Sequence, residues 1–180
     1  SKGFVEFSIL EKIKQKENSL DIWLAFAPIK SNYFNFMMQK STELGVTKFI
    51  PLITERTIVR KVNNERIKKI IIEASEQSNR IIVPDLEKTI SLDKFLKNNN
   101  TTNIILGDIN SKEKKIDIKK INTKNPICIL IGPEGDFTEK EREKILKSEN
   151  IQNLKINKNI LRSETAAISL LSIANYIFDL

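Results

Sequence analysis

The chain has 180 residues, room for one substantial α/β core and too few for two full domains. Its 30 Lys and Arg against 23 Asp and Glu leave a net charge of +7, which favours a polyanionic partner over a cationic one. With no His and a single Cys, the sequence excludes Ser-His and Cys-His catalysis, imidazole bases, Cys-based zinc sites and internal disulfides, so any chemistry falls to carboxylate, Arg, Lys, Tyr, hydroxyl or backbone groups.

Ser1 to Leu10 and Leu20 to Ala27 read as β segments separated by a charged, turn-prone stretch, Glu11 to Ser19. The first begins without an initiator Met, which suggests the tail of a longer protein with part of an N-terminal unit missing. Ser31 is placed to cap a helix that carries Phe34, Met37, Met38 and Leu44 on one face and ends at Gly45. Val46 to Ile53 reads as a strand, and Pro51 puts it near a sheet edge or keeps it short. After the polar connection Thr54 to Lys61, Asn63 or Asn64 caps a helix with Ile67, Ile70, Ile71, Ala74 and Ser78 at helical spacing, closed by Gln77 to Arg80.

Asp85 to Asn100 holds a short helix around Leu92, Phe95 and Leu96. Asn103 to Gly107 and Ile127 to Ile131 are apolar runs of strand length, each followed or closed by glycine, and read as strands buried on both faces. Cys128 lies inside the second run and reads as a small core residue. Between them Ser111 to Lys124, with six lysines (Lys112, Lys114, Lys115, Lys119, Lys120, Lys124), reads as an exposed, loosely structured connector. Thr138 and Glu141 form a capping box, so a helix runs from about Thr138 to Ser148. Asn153 to Asn157 is a last strand. The terminal helix then has one polar stripe, Ser169, Ser172, Tyr176 and Asp179, and an otherwise apolar circumference that suggests a subunit interface.

The alternation predicts a mostly parallel sheet with helices on both faces. The loop Gly132 to Asp136 then sits at the carboxyl end of a central strand, where open α/β sheets bind ligands, and its two glycines let backbone approach a ligand without a Cβ in the way. No GxGxxG follows a strand and no GxxxxGK[ST] occurs, which disfavours a dinucleotide enzyme or a P-loop ATPase. No signal peptide opens the chain and its longest apolar stretch is short and interrupted, so a cytoplasmic protein without a membrane partner is expected.

Four stretches, QKSTELGVTKFIPLITERT (Gln39 to Thr57), EASEQSNR with a following Val-Pro (Glu73 to Pro84), LIGPEGDFTEKE (Leu130 to Glu141) and ILRSETA (Ile160 to Ala166), resemble the signatures of the RsmE family of 16S rRNA (uracil-N3)-methyltransferases in the SPOUT superfamily. The resemblance implies a SPOUT methyltransferase domain over residues 21–180 with a C-terminal trefoil knot, and residues 1–20 as the remnant of an N-terminal PUA-like RNA-binding barrel. It implies a homodimer, S-adenosyl-L-methionine as methyl donor, no metal, and uridine 1498 of 16S rRNA in the small ribosomal subunit as target. Carried over by motif, Leu106, Gly107, Ile131, Gly132, Pro133, Glu134, Gly135, Ile156, Asn157, Ile160 and Leu161 are expected at the cofactor.

On the same resemblance, Arg162 is expected to donate hydrogen bonds to a carbonyl of the uracil anion, with Glu134 or Glu164, or water, taking the proton. A structural ion pair of Arg162 with either carboxylate is the alternative. Arg56, Arg60, Arg80 and the lysine-rich connector are the expected phosphate contacts. Where the family has Gly-Pro-Arg before Ile-Leu-Arg, this chain has Asn157, Lys158 and Asn159, and Asn tolerates the left-handed backbone such a turn would use. Two other functions stay open: an RNA-binding protein of this fold without catalysis, and a SPOUT methyltransferase acting on another nucleotide.

Overall fold

The computed structural model describes residues 3–11 and 21–178. Among these, strand and helix alternate as β1 (Ile22–Phe26), α1 (Ser31–Glu43), β2 (Lys48–Ile53), α2 (Asn64–Gln77), β3 (Asp85–Leu86), β4 (Ile90–Ser91), α3 (Leu92–Asn98), β5 (Asn103–Gly107), β6 (Ile127–Ile131), α4 (Glu139–Leu146), β7 (Ile151–Leu154) and α5 (Ser163–Phe178). The lateral order is β3-β2-β1-β6-β5-β7, with β4 also on β2, and every pairing is parallel. The expected parallel sheet is therefore present, with β6 inserted between β1 and β5.

Strands without a polar face need cover on both sides, and successive side chains supply it alternately. Ile22, Leu24 and Phe26 of β1, Ile105 of β5 and Ile127, Ile129 and Ile131 of β6 pack against α1, α2 and α5 through Phe34, Met37, Met38, Ile67, Ile71, Ala167, Leu170 and Leu171. On the opposite face Ala25, Ile104, Leu106, Cys128 and Leu130 pack against Leu92 and Phe95 of α3 and Ile145 of α4. Burial pushes the Cys128 thiol up to about 12, so it is an inert core residue, as its apolar surroundings in the sequence suggest.

Several expectations are corrected. No strand forms over Gly3 to Leu10; Phe4, Val5, Phe7, Ile9 and Leu10 are exposed, and a β-like pattern with no neighbour to pair with has no ladder to join. Ser1, Lys2 and residues 12–20 lie outside the described residues, as does Asp179 of the expected polar stripe. Lys30, not Ser31, holds the N-cap position of α1, with no side-chain cap.

Strand β2 is not an edge, yet Pro51 keeps its meaning: β3 pairs with Lys48 and Phe49, β4 with Leu52 and Ile53, and the two short outer ladders leave Ile50 and Pro51 unpaired on that side. Strand β7 comes two residues earlier than expected and stops at Leu154, opposite Gly107, where its partner β5 ends.

The lysine-rich connector is pinned rather than loose. Lys155 N donates to Glu113 O at 2.8 Å, Asp117 N to Gln152 Oε1 at 2.8 Å and Ser111 Oγ to Asn153 O at 3.0 Å, while its six lysines remain exposed. Helix α5 packs Ala167, Leu170, Leu171 and Ala174 into the core of its own chain and leaves Ile168, Ile173 and Ile177 part-exposed. Ser172 and Tyr176 point to solvent, and Ser169 is half-buried.

Candidate functional site

Because all strands run one way, the exits of β1, β5, β6 and β7 share one edge of the sheet, and there they enclose a cleft of about 750 Å³, within the usual range for small-molecule sites. The exit of β1 and the first turn of α1 contribute Lys30 and Tyr33; β5 contributes Gly107, Asp108 and Ile109; β6 contributes Ile131 to Asp136. Leu154 to Asn157 follow from β7, Asn159 to Leu161 from the next turn, and Arg162, Ser163, Glu164 and Ala166 from the start of α5.

Of the expected cofactor and catalytic residues, Gly107, Ile131, Gly132, Pro133, Glu134, Gly135, Ile156, Asn157, Ile160, Leu161, Arg162 and Glu164 all line this cleft. Leu106 does not, because one position before Gly107 the strand presents its side chain to the core under α3 and α4. The sequence reading missed Lys30, Tyr33, Asp108, Asp136 and Lys155. Position alone could have found Asp108, which directly follows the end of β5.

The loop after β6 is held from several sides. Asp136, with φ of 60°, takes the left-handed position rather than either glycine; its amide donates to Pro133 O at 2.9 Å and its Oδ1 accepts from Phe137 N at 2.7 Å. A Cβ on Gly132 would stand 2.9 Å from the Phe137 ring, and one on Gly107 3.1 Å from Leu170 and 3.3 Å from Ile131. The missing Cβ atoms of Gly132 and Gly107 thus also serve packing behind the loops, whereas a Cβ on Gly135 would meet only the Arg56 side chain at 3.6 Å. Glu141 completes the capping box with Thr138, and its other oxygen accepts from Glu55 N at 2.9 Å.

At the mouth, the Arg162 guanidinium lies 4.8 Å over the Tyr33 ring. The Tyr33 hydroxyl beside it, then the carboxylates of Glu164 and Glu134, push its pKa further up and keep it cationic. Among the described residues no ion pair joins Arg162 to Glu134 or Glu164, so the expected alternative of a structural ion pair is not formed. Glu164 is buried in the first turn of α5, where the helix N-terminus favours a carboxylate. Ser163 Oγ donates to Gly132 O at 3.2 Å and ties that helix end to the β6 loop.

Asp108, 3% exposed at its side chain, joins three elements. Its Oδ2 accepts from Arg142 Nη2 at 2.8 Å and Asn153 Nδ2 at 3.0 Å, and its Oδ1 from Asn110 N at 2.8 Å. Burial alone would raise the carboxyl, but these bonds outweigh it and hold Asp108 below the usual carboxylate range. The turn before α5 uses the Asn157 side chain, whose Oδ1 accepts from Asn159 N at 3.0 Å, and not the left-handed backbone expected for these asparagines.

The arginines expected to meet RNA lie outside the cleft lining. Arg60 is exposed. Arg56 Nη1 donates to Gly135 O at 2.7 Å, and Arg80 Nη1 donates to Thr42 O and Val46 O, both at 2.7 Å, bridging the carbonyls where α1 ends and β2 approaches. Among the described residues no group of His, Cys, Asp and Glu is arranged to hold a metal ion, and no helix is long and apolar enough to cross a membrane.

A family model described as an RNA methyltransferase domain matches residues 16–175. The chain is 37% identical over 169 residues to the ribosomal RNA small subunit methyltransferase E of Rickettsia conorii, covering 93% of this chain and 69% of that one. To the protein of the same name from Aquifex aeolicus it is 29% identical, covering 94% and 74%. The crystal structure of a ribosomal RNA small subunit methyltransferase E from Neisseria gonorrhoeae bound to S-adenosyl methionine superposes with a TM-score of 0.80 at 33% identity, covering 90% of this chain and 68% of that one. A Legionella pneumophila protein in complex with the bound cofactor SAM does so with a TM-score of 0.74 at 34% identity, covering 88% and 66%.

Proposed function

The chain belongs to the RNA methyltransferase family and, within it, to the ribosomal RNA small subunit methyltransferases E, and from that premise we propose that it transfers a methyl group from S-adenosyl-L-methionine to N3 of a uridine of 16S rRNA, uridine 1498. The observation that carries the site assignment is the convergence of four strand exits on one cleft with Arg162 at its mouth, stacked on a neutral ring.

The lining suits such a donor. Ile131, Ile156, Ile160 and Leu161 offer apolar contact for an adenine, the loops from Gly107 and Gly132 offer backbone groups, and Glu134, Asp136 and Glu164 offer negative charge near a sulfonium. When bound, S-adenosyl methionine supplies an electrophilic methyl carbon.

What remains for the chain is to orient the base and stabilise its anion. Arg162 donates to a uracil carbonyl oxygen as N3 loses its proton, and Glu134, Glu164 or water at the open mouth accepts that proton. Tyr33 does not neutralise the guanidinium, because the ring stacked on it is an uncharged phenol. Arg60 and the six exposed connector lysines contact phosphate.

We extend the same reading to assembly. The insertion of β6 between β1 and β5, followed by the return from β7 to α5 over β5 and β6, supports a trefoil knot, which ordinary connectivity would not favour. Exposed Phe36 on α1, Tyr176 on α5 and Ile160 support a homodimer that covers them. In this reading residues 21–180 are the methyltransferase domain, working on small subunits in the cytoplasm, and residues 1–20 are the remnant or linker of a PUA-like RNA-binding unit.

Labelled S-adenosyl methionine incubated with undermethylated small subunits tests the function. The expected result is label in 16S rRNA with the wild-type chain and none with Arg162→Ala. Cofactor binding without incorporation would mark an RNA-binding protein that lacks catalysis and would contradict the proposal.

A further inference from the structure

Arg56 is exposed, yet its guanidinium has a fixed partner: Nη1 donates to Gly135 O at 2.7 Å, and its Cδ lies 3.6 Å from where a Gly135 Cβ would be. The turn that presents it is rigid. Thr54 and Thr57, both buried, bond to each other through Thr54 N to Thr57 Oγ1 at 2.9 Å, Thr57 N to Thr54 O at 3.2 Å and between hydroxyls at 2.8 Å. Between them Glu55 N donates to buried Glu141, the residue that caps α4.

The turn after β2 therefore grips the loop after β6 at two points: Glu141 where the loop enters α4, and Gly135 at its cleft-lining tip. A guanidinium bonded to a loop carbonyl fixes that loop with the added strength of a charged donor.

We propose that Arg56 is a positioning residue for the cofactor loop Gly132 to Asp136, and is not one of the groups that bind RNA phosphate. The proposal rests on the reading of the cleft as the S-adenosyl methionine site. Its role is to hold Glu134 and Gly135 in the arrangement the donor meets, so that its loss is felt at the cofactor in the absence of any RNA.

The test is calorimetric titration of the full chain with S-adenosyl methionine alone, for wild type, Arg56→Ala and Arg56→Lys, alongside the salt dependence of binding to small ribosomal subunits. Arg56→Ala is expected to weaken cofactor binding on the order of tenfold, Arg56→Lys to restore part of it, and the salt slope to stay at the wild-type value. Unchanged cofactor affinity in Arg56→Ala, with a salt slope smaller by about one, would overturn the proposal and return Arg56 to the phosphate contacts. Should Arg56→Ala not fold, Arg56→Gln is judged by the same two readouts. Absence of binding by the wild-type chain would instead overturn the cofactor reading itself.

Discussion

Arg162 and Tyr33 show what a single pair of residues settles. A guanidinium paired with a carboxylate would be partly neutralised, whereas one stacked on a phenol ring keeps its charge for a developing anion. Arg162→Ala should abolish turnover and leave the affinity for S-adenosyl methionine within about threefold of wild type, as a role confined to the transition state requires. Tyr33→Ala should lower kcat on the order of tenfold with little change in the KM for cofactor, while Tyr33→Phe, which keeps the ring, retains most of the activity. Equal kcat in all three proteins would remove Tyr33 from the mechanism.

Asp108 makes a prediction of another kind. Its folded-state carboxyl sits below its ordinary value, so its contribution to stability is complete above about pH 4 and is lost as pH falls through the lower folded value. Asp108→Asn should cost about 1–3 kcal/mol at neutral pH by taking the buried carboxylate from Arg142, which keeps only the exposed Glu139 at 4.0 Å, and should flatten the acid limb of the thermal midpoint against pH. The motif ILRSETA made Arg162 legible in the sequence; nothing there pointed to Tyr33 as its neighbour, because the two meet only when α1 and α5 lie side by side.

At the level of elements, the unit of β6, its loop and α4 was the most legible part of the chain. An apolar run of strand length, a turn with glycines and acids, and a capping box left little choice, and Thr138 caps α4 as the spacing predicts. What Gly132 packs against was not legible, since it depends on Phe137 folding back under the loop. Gly132→Ala should destabilise by about 1–3 kcal/mol in chemical denaturation through overlap with that ring, and Phe137→Leu in the same chain should recover part of the loss. A fully stable Gly132→Ala protein with unaltered cofactor binding would show that the ring yields without cost.

Strand β7 was displaced in the sequence reading because its end is set by β5, a neighbour 47 residues earlier at the Leu154 and Gly107 pair, and not by its own residues. Pro51 was read as an edge signal for a comparable reason. The interruption between β3 and β4 that accommodates it belongs to the outer strands, and both of those are too short to have a pattern.

Over the whole molecule, the parallel sheet followed from alternation alone, but the strand order did not, because the order records which crossover passes which and no periodicity encodes it. That order is what brings the exits of β1, β5, β6 and β7 together and makes one cleft out of segments spread from Lys30 to Ala166. On the proposed function, the exposed lysine-rich segment and the charge of +7 attract a polyanion, and its base would meet Arg162 at the cleft.

The central claim is that this cleft aims a methyl group at a pyrimidine ring nitrogen. Mass-spectrometric mapping of 16S rRNA from undermethylated small subunits, after reaction with the full chain and isotopically labelled S-adenosyl methionine, measures it directly. The account predicts a single added methyl on N3 of uridine 1498. Label on a ribose hydroxyl, on another base, or nowhere in the RNA would contradict it.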